Sequence, residues 1–168
     1  PHNQGVGRAI TTGYRWALQR GADIVVVMGG DGQMDPGDLP ALLRPLLTSR
    51  VARWSYAKGN RLSHPSVWRV MPPVRLVGNI ALSVLTRWGT GLPTLWDSQC
   101  GYTAIRREAL LTIDLDALYP RFGFPNDLLS HLAAHGHAIV DVPVRPIYGN
   151  ERSELRILRV SLPISGIL

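Results

Sequence analysis

Ile24-Val25-Val26-Val27-Met28-Gly29-Gly30-Asp31-Gly32-Gln33-Met34-Asp35-Pro36 is the stretch whose reading decides the fold. Ile24 to Met28 is a continuous apolar, mostly β-branched run, the pattern of a strand buried on both faces. The glycines end that run in a sharp loop. A carboxylate at the carboxyl end of such a strand, flanked by glycines, can approach a cation or a phosphate without steric interference. Gln33 and Asp35 lie on the same loop and can add oxygen ligands. An ordinary turn draws on the same residue types. The loop alone leaves both readings open.

Outward from this stretch the pattern alternates between helix and strand. Upstream, Ile10, Tyr14, Ala17 and Leu18 recur at helical spacing over residues 6 to 20, and Gly21 is a stop signal. Downstream, Asp38 can cap a helix from about Leu39 to Leu47, with Pro40 in its first turn and Pro45 bending or ending it. Val51 to Ala57 reads as a strand, and residues 59 to 71 as a loop. Pro72 and Pro73 open the strongest predicted helix. Val74, Val77, Ile80, Ala81, Val84, Leu85 and Trp88 share one face of it, Arg75, Asn79 and Ser83 run along the other, and Gly89 is the expected stop. Residues 94 to 105 look extended around a glycine. Phe124 to His135 reads as a helix capped by Asn126 or Asp127, and Ala138 to Ile147, with Pro143 and Pro146, as an edge strand.

This order predicts one α/β domain over residues 1–168, a sheet with right-handed crossovers. Ligands of such sheets bind beyond the carboxyl ends of the strands, which puts residues 29 to 35 at the expected site. The chain opens on a helix-starting segment with no strand before it to pair with Ile24–Met28. The expectation is therefore a partial domain whose N-terminal strands lie outside this sequence.

Composition narrows the function. At 168 residues and 45% hydrophobic the chain can bury a real core, and it is neither a disordered tail nor a disulfide-stapled miniprotein. A single cysteine, Cys100, permits no internal disulfide and no cysteine-based zinc site, and reads as a small buried residue. The apolar runs are shorter than a membrane span, and no charged-then-apolar leader opens the chain. The net charge is +6, from 17 Arg and 1 Lys against 12 acids. Arginine forks onto phosphates, so the excess points to phosphorylated partners or an anionic membrane surface, although an arginine-rich coding bias leaves the same mark. The arginines are scattered and form no basic recognition stripe, so no nucleic acid is expected. His131 and His135 have metal-ligand spacing, but with no third ligand in view a solvated or packed face is the better reading. Gly5-Val6-Gly7 lacks the third glycine and the preceding strand of a dinucleotide fingerprint.

Five blocks then carry a resemblance. They are Asn3-Gln4-Gly5-Val6-Gly7-Arg8-Ala9-Ile10; Val26 to Pro36; Lys58-Gly59-Asn60-Arg61 with Met71 to Asn79; Asp97-Ser98-Gln99-Cys100-Gly101-Tyr102 with Phe124 to Leu129; and Tyr148-Gly149-Asn150-Glu151-Arg152-Ser153. In this order they resemble the family 2 glycosyltransferases of GT-A fold, in the branch of dolichol- and polyprenyl-phosphate mannosyl- or glucosyltransferases. The resemblance implies a Rossmann-like, mostly parallel sheet with flanking helices. It also implies an inverting transfer of a hexose from a UDP- or GDP-sugar donor to a polyprenyl-phosphate lipid acceptor, at the cytoplasmic face of the membrane.

The residue roles it implies are specific. Asp31, with Gln33 beside it, would bind Mg²⁺ or Mn²⁺ bridging the donor diphosphate, and Asn3, Gly7 and Gly30 would join them in donor binding. Asp97 and Asp127 join Asp31 as catalytic candidates: Asp97 toward sugar hydroxyls, Asp127 toward acceptor orientation or proton removal. Turn capping and helix capping are the structural alternatives for these two. Arg61, Arg75, Asn79 and Ser153 would hold the acceptor phosphate. The family often carries Asp where this chain has Gly29, which leaves one fewer carboxylate at the metal. Two other readings share the fold. One is transfer to a saccharide hydroxyl, with Asp127 as the base. The other is a non-catalytic module that binds nucleotide-sugar.

Overall fold

The structure, a computed structural model, describes residues 3–48 and 54–148. Helix α1 (Val6–Gln19) buries Gly7, Thr11, Tyr14 and Ala17 along one face and leads into β1 (Ile24–Val27). A 3₁₀ turn, Pro36–Asp38, and α2 (Leu39–Thr48) follow the glycine loop. Asp35 caps the 3₁₀ turn by accepting from the Gly37 N–H at 2.8 Å. Asp38, expected as the cap of α2, instead closes the 3₁₀ turn and accepts from the Arg145 N–H at 2.7 Å. Pro45 lies inside α2, which continues to Thr48.

Strand β2 (Tyr56–Asn60) begins where the expected strand ends, and Val51 to Arg53 lie outside the described residues. Tyr-Ala-Lys-Gly-Asn is a poor β sequence, yet all five residues are buried. Pairing on both sides overrides propensity here. The remaining strands are β3 (Thr103–Arg106) and β4 (Ile139–Pro143), and the sheet order is β1-β3-β2-β4. β3 is antiparallel to β1 and to β2, whereas β2 and β4 are parallel. Three strands therefore share one direction, and the reversed β3 sits between two of them. β1 is half-buried rather than enclosed, because it is an outer strand among those described.

Side chains alternate between two core layers. Tyr56, Ile105, Ile139, Val25 and Val27 pack with Tyr14 of α1. The same layer takes in Leu110 of α5 (Arg107–Thr112) and Leu128 and Leu132 of α6 (Phe124–Ala134). Ala57, Ala104, Val140, Val142, Ile24 and Val26 face the other way, onto Leu42 and Leu46 of α2. The period-two register of every strand agrees with this division.

The segment expected as a loop contains a short helix, α3 (Val67–Val70). Helix α4 (Pro73–Thr90) then runs past Gly89 to Gly91, whose φ of 66° supplies the left-handed C-terminal cap. Its burial reverses the expectation. Leu76, Ser83 and Thr86 are buried, while Val74, Val77, Ile80, Val84, Leu85 and Trp88 are exposed. At α6 the N-cap position is Gly123, and neither Asn126 nor Asp127 caps the helix.

Candidate functional site

The loop after β1 is stitched to its surroundings through Met34. The Met34 sulfur accepts from the Gly29 N–H at 3.0 Å, and its methyl lies against Gly101. The Gln33 N–H donates to Asp31 Oδ1 at 3.0 Å, across Gly32 at φ 74°. A Cβ at Gly29 would meet that same Oδ1 at 3.1 Å. Gly29 thus allows the loop to close, and its lack of a side chain is also what removes a second carboxylate. Asp31 remains exposed at the mouth of the loop. Asp35, by contrast, is engaged by Arg145 at 2.9 Å.

Among the described residues no group of three or more His, Cys, Asp or Glu could enclose a metal ion. What Asp31 and its loop do fit is a divalent cation that arrives with a diphosphate and keeps part of its water, as Mg²⁺ does with one or two carboxylates.

A second cluster lies under the block that follows α4. Asp97 is completely buried, and Arg61 grips it twice: Nε donates to Oδ2 at 2.8 Å and Nη2 to Oδ1 at 3.0 Å. The Arg61 backbone N–H adds a bond to Oδ2 at 3.1 Å. Burial raises the Asp97 carboxyl, but Arg61 and Lys58 outweigh it and hold the pKa below the ordinary value. The resemblance cast Asp97 toward the sugar and Arg61 toward the acceptor phosphate; in the structure the two groups form an ion pair with each other.

Lys58 is completely buried as well, and its ammonium donates to the Cys100 carbonyl. Burial lowers the Lys58 pKa and raises that of the Cys100 thiol. Asp141 completes the cluster. Its Oδ2 accepts from the Trp96 N–H at 2.6 Å, and Oδ1 has no partner among the described residues. Burial pushes its pKa up to about 6. It borders a cavity of about 300 Å³ that also touches Trp54, Asn60 and Trp96.

Arg61 Nη1 donates to the Tyr148 hydroxyl at 3.3 Å, and the Arg75 guanidinium lies 5.7 Å from the centre of the Tyr148 ring. Arg75 sits half-buried on the inner face of α4 and has no carboxylate partner among the described residues. Asn79, one turn on, turns its amide toward the Met71 sulfur at 3.7 Å. Ser83, one turn further, accepts from the Ser98 N–H at 2.9 Å. Gln99 Nε2 bridges Ser98 Oγ at 2.9 Å and Asn126 Oδ1 at 3.0 Å. These bonds tie α4, the Asp97 block and α6 into one wall.

The other expected residues make separate contacts. Asp127 Oδ2 accepts from the Tyr119 N–H at 2.7 Å, and Oδ1 lies 3.7 Å from His131. Asn3 Oδ1 accepts from the Gly5 N–H at 2.9 Å. Gly7 is a close-packing position: a Cβ there would fall 2.4 Å from the Tyr119 carbonyl oxygen. Gly30 is exposed with open space around it. Ser153 lies outside the described residues. Lys58, Tyr148 and Asp141 had been assigned no role. Lys58 had a visible signal, being the lone lysine among 18 basic residues. Asp141 had none, since a polar residue in an alternating strand reads as solvent-facing.

No family model matches the chain. Curated relatives do. The chain is 32% identical over 146 residues to the UDP-N-acetylglucosamine–dolichyl-phosphate N-acetylglucosaminyltransferase of Methanococcus voltae, covering 87% of this chain and 57% of that protein. It is 36% identical over 142 residues to the undecaprenyl-phosphate mannosyltransferase of Micrococcus luteus, covering 83% and 56%. It is 33% identical over 141 residues to the polyprenol monophosphomannose synthase of Mycolicibacterium smegmatis, covering 83% and 51%. The chain thus spans about half the length of these relatives. Among solved structures, glucosyl-3-phosphoglycerate synthase from Mycobacterium tuberculosis, crystallised with Mn²⁺, UDP and phosphoglyceric acid, superposes with a TM-score of 0.69 at 22% identity. That match covers 99% of this chain and 54% of that one. The same enzyme with Mg²⁺ and UDP gives 0.63.

Proposed function

The chain belongs to the GT-A glycosyltransferases of the polyprenyl-phosphate transferase type, and from that premise we propose that the whole protein moves a hexose from a nucleotide-sugar to a polyprenyl phosphate with inversion. The observation that carries the acceptor class is Arg75, a half-buried cation on the wall of the site with no carboxylate among the described residues to neutralise it. A phosphate supplies the missing charge through forked, charge-assisted hydrogen bonds. Arg61 is already neutralised by Asp97. Its part is to hold the Tyr148 ring against which Arg75 lies.

Asp31, with Gln33 beside it, would hold the donor's divalent cation, Mg²⁺ or Mn²⁺. Such a cation offsets the charge that builds on a departing nucleoside diphosphate. Asn3, Gly7 and Gly30 complete the proposed donor side. Gly7 would act by letting α1 approach Tyr119 and Pro120 closely. A lipid phosphate is already anionic near neutral pH, so positioning and charge compensation carry the rate and a strong base is not required. Asp127, held by the Tyr119 N–H, would then orient the acceptor side of the wall. The proposed setting is a membrane surface, because the acceptor is a lipid, and its cytoplasmic face, as the family resemblance implies.

The test is transfer by the full-length protein from UDP- and GDP-hexoses to a prenyl phosphate and, separately, to an oligosaccharide. Asp31→Ala is expected to lower transfer by about 100-fold or more, the scale of losing one charge-stabilising group. Arg75→Gln is expected to raise the KM for prenyl phosphate by about tenfold or more while leaving donor KM unchanged. Undiminished transfer by Asp31→Ala, or preference for the oligosaccharide, sinks the reading.

A further inference from the structure

The segment from Val144 to Tyr148 has no regular structure, yet it touches both halves of the proposed site. It leaves β4 beside β2, where the Val144 N–H donates to the Asn60 carbonyl at 3.2 Å. Arg145 then holds two acids of the turn that follows the Asp31 loop. Its backbone N–H donates to Asp38 Oδ2 at 2.7 Å, and its Nη1 lies 2.9 Å from Asp35 Oδ2. Three residues on, Tyr148 packs against Val67, Met71 and Leu76. Its hydroxyl accepts from Arg61 Nη1 at 3.3 Å, and the Arg75 guanidinium lies 5.7 Å from its ring centre. One short strap thus runs from the carboxylates beside the proposed donor loop to the cations of the proposed acceptor wall.

The turn does not need Arg145 in order to form. Asp35 Oδ1 already accepts from the Gly37 N–H at 2.8 Å, and the Asp38 N–H donates to the Asp35 carbonyl at 3.0 Å. Oδ2 is the oxygen left over, and Arg145 takes it. The pair neutralises an acid four residues from Asp31, and it joins segments far apart in the chain. What it fixes is carried forward, because Pro146 follows Arg145. A proline locks its own φ and restricts the residue before it, so Arg145 and Pro146 have few soft torsions. Only Ile147 then separates them from Tyr148. The Arg145 side chain is 60% exposed and that of Asp35 23%. A pair this exposed adds little to stability, so its loss leaves the fold intact.

We propose that Arg145 is a positioning residue for the acceptor: its clasp on Asp35 and Asp38 fixes the strap that seats Tyr148, and Tyr148 sets the Arg75 guanidinium for the acceptor phosphate. The proposal deepens the transferase reading and rests on it for the identity of the acceptor. It assigns Asp35 to the strap and not to the donor's cation. Binding of a prenyl phosphate tests it without any transfer.

The probe is farnesyl phosphate, titrated calorimetrically into the full-length protein with and without Mn²⁺ and UDP or GDP. Transfer to it from UDP- and GDP-hexoses is measured in parallel. Arg145→Ala is expected to weaken farnesyl phosphate binding and to raise its KM by about three- to fivefold, the scale of one exposed ion pair, with donor KM and Mn²⁺ requirement unmoved. Arg145→Lys keeps the charge and is expected to recover most of the loss. Asp35→Asn keeps an oxygen for the Gly37 N–H and is expected to reproduce Arg145→Ala. Tyr148→Leu is expected to weaken binding further, and Arg145→Ala should then add nothing to it, because both act through one ring. Arg15→Ala breaks an exposed pair with Asp116 on α1 and is expected to bind as the parent does. Circular dichroism of every variant should match the parent. Equal binding by Arg145→Ala and parent overturns the proposal, as does a fully additive loss in the double variant. So does a raised Mn²⁺ requirement in Asp35→Asn with farnesyl phosphate binding unchanged, which assigns Asp35 to the cation. Absence of farnesyl phosphate binding by the parent overturns the clasp and the acceptor class together. Binding that Arg145→Ala weakens, with no transfer by the parent, sinks the transferase reading and leaves the clasp standing. Transfer by the parent with the acceptor KM unmoved in Arg145→Ala does the reverse.

Discussion

Asp141 shows how one half-buried carboxyl reports on the cluster around it. Its pKa stands at about 6 against an unperturbed 3.8, chiefly because burial disfavours the charged form. The folded chain therefore holds this proton to higher pH than the unfolded chain does. Stability contributed by this group is intact below pH 4 and falls as pH rises through about 4 to 6. Asp141→Asn is expected to stabilise the protein by about 1–3 kcal/mol near pH 8 and to change little near pH 3.5, as read by urea denaturation at the two values. A stabilisation equal at both values would contradict the assignment to ionisation. The neighbouring Arg61–Asp97 pair illustrates what was hidden from sequence. Both residues stood out, each for a ligand of its own, but they lie 36 positions apart and only folding brings them together. Lys58 was hidden for the same reason, since its partner is the Cys100 carbonyl, 42 positions away.

Helix α4 carries the lesson at the scale of elements. Its limits were nearly legible: Pro73 opens it, and a glycine closes it two residues later than expected. Its orientation was not. An apolar stripe was expected to face the core because burial of apolar area is the usual driving force. Here the inner face is organised by hydrogen bonds between Ser83 and the Asp97 block, the Ser98 N–H donating to Ser83 Oγ. Ser83→Ala is expected to cost about 1–3 kcal/mol, because it strands the buried Ser98 N–H. Val77→Ser, on the exposed face, is expected to stay within about 0.5 kcal/mol. Chemical denaturation of the two variants checks the orientation directly, and the reverse ranking would refute it.

For the whole molecule, the sheet order places β2 and β3 inside and β1 and β4 outside among the described strands. All five residues of β2 are buried, whereas all four of β1 are half-buried. Amide exchange follows local opening, so the slowest amides are expected in Ala57–Gly59 and Thr103–Ile105, and Val25–Val27 should exchange faster. Native-state hydrogen exchange resolved by residue measures this. Protection of β1 equal to that of β2 would contradict it. The alternation of α and β was legible because hydrophobic period and glycine–proline punctuation are local signals. The reversed direction of β3 was not, since nothing within Thr103–Arg106 distinguishes an antiparallel strand from a parallel one.

By itself the sequence determined the fold class, the glycine loop after β1 and the motif order that resembles polyprenyl-phosphate transferases, because each is written in residues close together along the chain. Only the tertiary structure decided that Asp97 pairs with Arg61, that Arg75 has no carboxylate partner among the described residues, and that α4 turns its apolar face outward. Those outcomes depend on which distant groups meet and which are left to solvent, and periodicity along a chain carries no information about either.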